Sequence, residues 1–304
     1  MQAVTVAHIS KAYGKHQALD DLSFSVNPGE LYGIIGPDGA GKTTLFRILT
    51  TLMLPDRGTA QVMGHDIVRD YRTIRSLIGY MPGHFSLYQD LTVEENLQFF
   101  ATVFNTTIRQ NYHLIEDIYR QIEPFRHRLA GKLSGGMKQK LALSCALIHE
   151  PQVLFLDEPT TGVDPVSRKE FWNMLLRLKQ QGITILVSTP YMDEASLCDR
   201  IALIQNGQFL QIDTPADIVR SYSHSLWAVQ SDRMHALLND LHGYPPIRTS
   251  FSFGSAFHVT LAEEARPEDL ENYLAGKGHH HISIRPIDAS IEDCFMALMN
   301  KNDG

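Results

Sequence analysis

Over the first fifty positions apolar residues come in short runs separated by turn formers: Val4 to Ile9, Leu22 to Val26 and Leu31 to Ile35, with Asn27-Pro28-Gly29 before the last. Runs of that length between turn signals predict strands. The period then changes. After a glycine-rich segment, Leu45, Ile48, Leu49 and Leu52 fall at helical spacing, so the chain is predicted to pass from strand through loop to helix. A second helical block is predicted from Thr92 to about Tyr119, opening with Thr92 and Glu95 spaced as a capping box. Val153 to Leu156 and Ile183 to Ser188 are short, mainly apolar runs of the kind shown by parallel strands buried on both faces. Between them Phe171, Met174, Leu175 and Leu178 trace one face of a helix that Asp164-Pro165 can start and Gly182 can end. Strands alternating with helices predict an α/β fold.

Ile201 to Ile204 and Phe209 to Ile212, joined through Asn206-Gly207, read as a hairpin with a favoured two-residue turn. Thr214-Pro215-Ala216-Asp217 is a helix start. Beyond about Tyr222 candidate strands at 226–229, 257–261 and 282–287 alternate with candidate helices near 233–241, 267–275 and 290–300. Two domains are therefore predicted, 1–221 and a small C-terminal α+β appendage over 222–304. His279-His280-His281 invites a metal reading, but adjacent residues on a strand face opposite ways and no carboxylate or cysteine stands at ligand spacing.

Composition narrows the class. The 304 residues are 43% hydrophobic and 20% charged, enough apolar material for a core and too much for a disordered or fibrous chain. No apolar run approaches the ~20 residues of a membrane helix, and residues 1–15 lack the layout of a secretory signal, so no segment is expected to enter a membrane. Cys145, Cys198 and Cys294 are widely spaced and fit a reducing compartment. The formal net charge is −7, and it is uneven: from residue 221 onward 6 Lys+Arg face 11 Asp+Glu, against 21 and 23 before it. Neither part has the basic surplus that displaces counterions from nucleic acid, so no nucleic-acid partner is expected.

Gly36-Pro37-Asp38-Gly39-Ala40-Gly41-Lys42-Thr43 matches G-x-x-x-x-G-K-[ST] and stands after an apolar strand at the start of a helix. Such a loop turns its N–H groups inward and adds a helix N-terminus, which together cradle phosphate oxygens. Lys42 would bridge the β- and γ-phosphates and Thr43 would ligate Mg²⁺. Val153 to Leu156 runs into Asp157-Glu158, an apolar strand ending in two acids. Asp157 is placed to hold Mg²⁺ and Glu158 to polarise the attacking water. Leu133-Ser134-Gly135-Gly136-Met137-Lys138-Gln139 pairs a natural N-cap, Ser134, with two glycines that expose the first N–H groups of a helix to a ligand.

The three pieces, in this order and spacing, resemble the ATP-binding cassette (ABC) ATPases over about residues 3–220: phosphate loop, signature and magnesium-binding strand. Thr161-Gly162-Val163-Asp164 resembles the family's D-loop, and Tyr13 resembles the aromatic that stacks on adenine. The resemblance implies a P-loop cassette with a mixed sheet core and a helical subdomain at about 84–148. It implies ATP and Mg²⁺ as cofactors, held by Tyr13, residues 36–43, Thr44 and Asp157, with Glu158 and Lys42 catalytic. It also implies a head-to-tail dimer, homo- or heterodimeric, in which Ser134, Gly135 and Gly136 face the nucleotide on the partner cassette.

A single cassette with a short appendage is similar to the ATPase subunit of bacterial exporters of the drug, lipid or polysaccharide type. That resemblance implies an integral-membrane permease partner and a peripheral place on the cytoplasmic face of the inner membrane. Phe85, Leu87, Tyr88 and Leu91 are the candidate docking surface. Other readings are a cytosolic clamp without a permease and a ribosome- or nucleic-acid-acting machine. Two positions depart from the family. Pro82 runs into Gly83 where a glutamine is usual, with His84 the nearby candidate substitute, and Thr189 runs into Pro190 where a histidine is usual. The retained Lys42, Asp157 and Glu158 imply nucleotide binding. The two losses imply slow hydrolysis at this phosphate loop, with the intact signature serving a better site on a non-identical cassette.

Overall fold

The computed structural model describes residues 1–262 and 264–302, the last two as backbone only. Contacts divide the chain into two units, Met1–Pro215 and a second beginning at Ala216.

The first unit opens with a long hairpin, β1 (Val4–Tyr13) and β2 (His16–Val26), turned where Gly14 takes φ +60°. β3 (Leu31–Ile35) follows, buried at every position, and feeds through the glycine-rich loop into α1 (Lys42–Leu49). β4 (Arg57–Val62) and β5 (His65–Asp66) extend the hairpin into an antiparallel sheet of order β2-β1-β4-β5. α2 (Tyr71–Leu77) leads into β6 (Ile78–Met81), and α3 (Val93–Val103), α4 (Ile108–Tyr119) and α5 (Gly135–Leu147) make the helical part. β7 (Val153–Asp157), α6 (Pro165–Gln180), β8 (Thr184–Thr189), β9 (Arg200–Gln205) and β10 (Gln208–Asp213) complete a six-stranded sheet, β10-β9-β3-β8-β7-β6. All its pairings are parallel except β10 with β9.

The apolar face of α1 joins the two sheets. Leu45, Phe46, Ile48 and Leu49 are buried in a core shared with Val6, Leu22 and Val62 of the antiparallel sheet and Ile34, Phe155 and Leu186 of the parallel one. Phe46 meets Phe155 edge-on at 5.8 Å, and Phe24 stacks on Tyr32 at 5.5 Å. Burying a side chain of this size contributes roughly 1.5–3 kcal/mol. The helix is thus clamped with its N-terminus at the carboxyl end of β3, which positions the phosphate loop.

At the boundary α7 (Pro215–Arg220) begins, and the second unit continues with β11 (Leu226–Gln230), α8 (Met234–His242), β12 (Ile247–Phe253), β13 (Ala256–Leu261), α9 (Pro267–Gly276), β14 (Ser283–Ile287) and α10 (Ile291–Asn302). The strands pair antiparallel in the order β12-β13-β11-β14. This βαββαβ arrangement is the split-βαβ, ferredoxin-like topology. Val229, Leu237, Leu241, Phe257, Val259, Leu270 and Leu274 form its core.

Three expectations are corrected. The helical block from Thr92 to Tyr119 is two helices, because Asn105 takes φ +55° and Thr107 caps α4 with its side chain on Gln110 N–H. β12 is a strand where none was expected. His279, His280 and His281 precede β14 in a loop rather than lying on a strand; His279 is buried, with Nδ1 2.9 Å from Ser231 Oγ and Nε2 3.0 Å from Asp240 Oδ2. No group of three metal-ligating side chains occurs among the described residues.

Candidate functional site

The carboxyl ends of the parallel strands bring the phosphate loop, the acids and the late-strand position together. The loop takes its shape from two close approaches. A Cβ on Gly36 would lie 2.1 Å from Ile204 O, and one on Gly41, at φ +106°, would lie 2.5 Å from Ala18 O, so both positions require glycine. Gly41 caps α1 through its backbone alone, which leaves the first helical N–H groups directed at the loop's concavity. A cavity of about 220 Å³ opens there, lined by Tyr13, Gly39, Gly41, Lys42, Thr43, Thr44 and Glu158, together with His16 and Ala18, which sequence reasoning had not named.

Lys42 is 3% exposed, and its Nζ donates to Gly36 O at 2.8 Å and Pro37 O at 2.9 Å and lies 3.0 Å from Glu158 Oε1. Asp38, exposed at the loop's crest, has Oδ1 4.0 Å from the same nitrogen, and Ala40 N–H closes the turn on Pro37 O. Glu158 adopts φ +49°, a strained conformation for a residue with a side chain, costing on the order of 1–3 kcal/mol. The surroundings hold it: its N–H donates to Ser188 O and Ser188 Oγ, each at 3.0 Å. Ser188 Oγ in turn donates to Asp157 Oδ1 at 2.6 Å, fixing a carboxylate that is 1% exposed. Ser188 is a site residue with no signal of its own in the sequence.

Tyr13, half-exposed at the hairpin tip, donates its hydroxyl to Met53 Sδ at 3.1 Å. Asp56 stiffens that tip by accepting from Lys11 Nζ at 2.7 Å and Ala12 N–H at 2.8 Å, and the Lys11 bond chiefly holds its carboxyl below the usual range. An exposed ring on a fixed edge above a phosphate cradle can take a planar base.

The residues present suit ATP and Mg²⁺. The cavity offers inward N–H groups and an ammonium for phosphates, and the Thr43 hydroxyl and Asp157 carboxylate are hard oxygen donors of the kind Mg²⁺ takes, along with substrate phosphates and water. Mg²⁺ bound there would neutralise charge developing on the transferred phosphoryl group.

Ser134, Gly135 and Gly136 do not line this cavity. Ser134 caps α5, accepting from Met137 N–H, and Gly136 sits so close to α6 that a Cβ would meet Ser167 Oγ at 2.7 Å, while a Cβ on Gly135 would lie 3.5 Å from Gly162 O in the loop after Glu158. Gly83 lies against the carboxyl end of β7: a Cβ there would be 3.1 Å from Asp157 O and 3.7 Å from Asp157 Oδ2. His84 is exposed and does not line the cavity. Of the expected docking residues, Tyr88 is exposed, Phe85 and Leu91 are half-buried, and Leu87 is buried, which removes it from the exposed surface.

A phosphate loop and an acid-tipped strand on one mixed sheet, with a capped glycine pair opening α5, define a nucleotide-binding cassette. Residues 19–161 match the family model described as ABC transporter. The chain is 38% identical over 288 residues to the probable multidrug ABC transporter ATP-binding protein YbhF of Escherichia coli (strain K12), covering 93% of this chain and 49% of that one. It therefore spans about half the length of that relative. To the Nod factor export ATP-binding protein I of Mesorhizobium japonicum it is 33% identical over 303 residues, covering 98% of this chain and 87% of the relative. A solved structure described as the ATP binding subunit of an ABC transporter superposes with a TM-score of 0.66 at 30% identity, covering 72% of this chain and 93% of that one. The chain belongs to the ABC transporter family, and its first unit has the fold of the ATP-binding cassettes.

Proposed function

We propose that this chain is the ATPase subunit that energises a separate membrane permease of an exporter, and that it is the slowly hydrolysing half of a cassette pair. The convergence of Tyr13, residues 36–44, Asp157 and Glu158 supports binding of ATP with Mg²⁺. The observation that carries the slow turnover is the pair of missing groups: Gly83 presents no side chain beside Asp157, and Pro190 offers neither charge nor N–H at the end of β8. Phosphoryl transfer depends on such positioned polar groups. In the cycle Glu158 polarises the attacking water and Lys42 holds the phosphates. Ser134, Gly135 and Gly136, which do not line this chain's own cavity, serve a nucleotide on the second cassette. The export assignment is supported by relatives described as multidrug and Nod factor export proteins. No helix among the described residues is long and apolar enough to cross a membrane, so the permease would be another polypeptide or segment.

A largely apolar groove of about 360 Å³ between α3, α5 and β6, whose lining includes Met81, Pro82, Ser86, Phe100, Phe104 and Ala142, supports docking of a permease helix, with the chain peripheral on the cytoplasmic face. Purification from detergent-solubilised membranes is expected to bring a polytopic protein with this chain; recovery with ribosomes or nucleic acid, or alone, would favour the other readings. The rate is tested by steady-state ATPase assay. The double variant Gly83→Gln/Pro190→His is expected to raise turnover about tenfold or more, the scale at which single positioned groups act, and Glu158→Gln to abolish it. A wild-type rate that the double variant leaves unchanged would sink the slow-turnover reading.

A further inference from the structure

Glu194 is a carboxylate that the reaction described above does not use. It lies in the 3-10 turn Met192–Leu197 and is 2% exposed, so its polar atoms have to find partners within the protein. Those partners belong to two different strand ends. Oε1 accepts from Thr160 Oγ1 at 2.7 Å, two residues beyond Glu158, and Oε2 accepts from Thr189 Oγ1 at 2.5 Å, at the end of β8. The Thr189 hydroxyl also accepts Tyr191 N–H at 3.0 Å, which turns its proton toward Glu194. Thr189 O accepts Gly36 N–H at 3.3 Å. Bonds therefore run from the loop that bears the catalytic glutamate, through Glu194 and Thr189, to the first residue of the phosphate loop.

The strain at Glu158 is held from several sides. A residue at φ +49° stays there only when its surroundings over-determine it; the Glu158 N–H is fixed by Ser188, and the Glu158 carbonyl accepts Thr161 N–H at 3.2 Å. Those bonds hold the turn only to itself and to β8; within it Pro159 donates nothing, and the Thr160 side chain ties the turn to Glu194. Arg168 closes the assembly from α6. Its guanidinium lies 4.1 Å over the Tyr191 ring, and its Nε is buried, 3.7 Å from Glu194 Oε1 and outside hydrogen-bond reach. The preceding residue, Ser167, is the one against which Gly136 of the signature packs.

We propose that Glu194 is a positioning residue for ATP hydrolysis, holding the loop that carries Glu158 in register with the phosphate loop; the proposal rests on the ATPase reading. Glu194 touches no reacting atom. It acts through Thr160 and Thr189, and a displacement of the catalytic group by about 1 Å costs on the order of a hundredfold in rate.

The test is single-turnover hydrolysis with the full chain in excess over labelled ATP, which reads slow rates, alongside binding of a fluorescent ADP analogue. Glu194→Leu is expected to lower the saturated rate about tenfold or more while analogue affinity stays within about twofold, a split that separates the chemical step from binding. Glu194→Gln keeps an oxygen that can accept a threonine proton and is expected to retain most of the rate. Thr160→Val, of nearly unchanged shape, is expected to reproduce the loss, and Glu194→Leu/Thr160→Val to be no slower than either single variant, as for residues acting in one network. A wild-type rate in both Glu194→Leu and Thr160→Val would overturn the proposal, as would rate and affinity falling together. If the wild type turns over at ordinary speed, the slow-turnover reading fails while these ratios still decide the role of Glu194. If it hydrolyses nothing, the ATPase reading and this proposal fall together.

Discussion

Lys42 shows how much of the cassette is decided by single side chains. Three of its polar contacts, to Gly36 O, Pro37 O and Glu158 Oε1, lie within 3.0 Å on a side chain almost without solvent. Charge-assisted bonds of this kind contribute about 1.5–3 kcal/mol each. Lys42→Ala is therefore expected to weaken ATP binding at least about tenfold by titration calorimetry. Gly41→Ala would act through the backbone, since its φ of +106° and the 2.5 Å approach to Ala18 O leave a methyl group no place. Urea unfolding is expected to show a loss of about 1–3 kcal/mol, the scale of backbone strain. The phosphate loop and the two acids were legible because the chemistry demands those residue types at that spacing. Ser188, Asp56, Thr160 and Glu194 were not, because each acts through a partner distant in sequence: Ser188 through Asp157, 31 residues away, and Glu194 through Thr160, 34 away. An isolated serine or glutamate carries no mark of such a partner.

Among the elements, α3 was legible at its start and illegible at its end. The capping box is formed, with Thr92 accepting from Glu95 N–H and the Glu95 carboxylate accepting from Thr92 N–H at 2.8 Å. Thr92→Ala is expected to cost about 1 kcal/mol in denaturant unfolding. The break before α4 was hidden because apolar residues continue on both sides of it, although Asn105-Thr106-Thr107 is a cluster of turn and cap formers. β12 was hidden for another reason: Ser and Thr alternate with its aromatics, and an edge strand needs no continuous apolar run. At the break Phe104 stacks on His149 at 3.7 Å, and burial holds the His149 imidazole below its ordinary range, outweighing the bond to Ile78 O. A group with a lowered folded-state pKa confers stability that is complete above its unfolded value of about 6.5 and is lost as pH falls through the folded value. The wild type is thus expected to lose stability below pH ~6.5 more steeply than His149→Phe, with circular dichroism melts across pH 4.5–7.5 as the measurement.

For the whole molecule, the order of strands matters more than any one of them. The alternation of short apolar runs and helical faces was enough to predict an α/β unit followed by an α+β unit, because each element's period is local, whereas the cassette was legible only in the motifs. Strand order was not predictable in that way, since it is set by contacts between remote segments. Because the site is built at the ends of β3, β7 and β8, Mg²⁺ with ATP is expected to slow amide hydrogen exchange in those strands and leave β11 to β14 unchanged, which exchange mass spectrometry can read. The same order bears on how the protein is made. β3 pairs with β8 on one side and β9 on the other, and the Gly29 N–H bond to Thr184 Oγ1 beside them spans 155 residues. A wholly apolar strand completed within the first 35 residues must wait for most of the first unit to leave the ribosome before either neighbour exists. The glycine loop that follows has no rigid frame until then, and the waiting strand is the segment most exposed to wrong pairing. Nucleotide capture by the nascent chain would therefore mark the moment at which β8 and β9 close around β3.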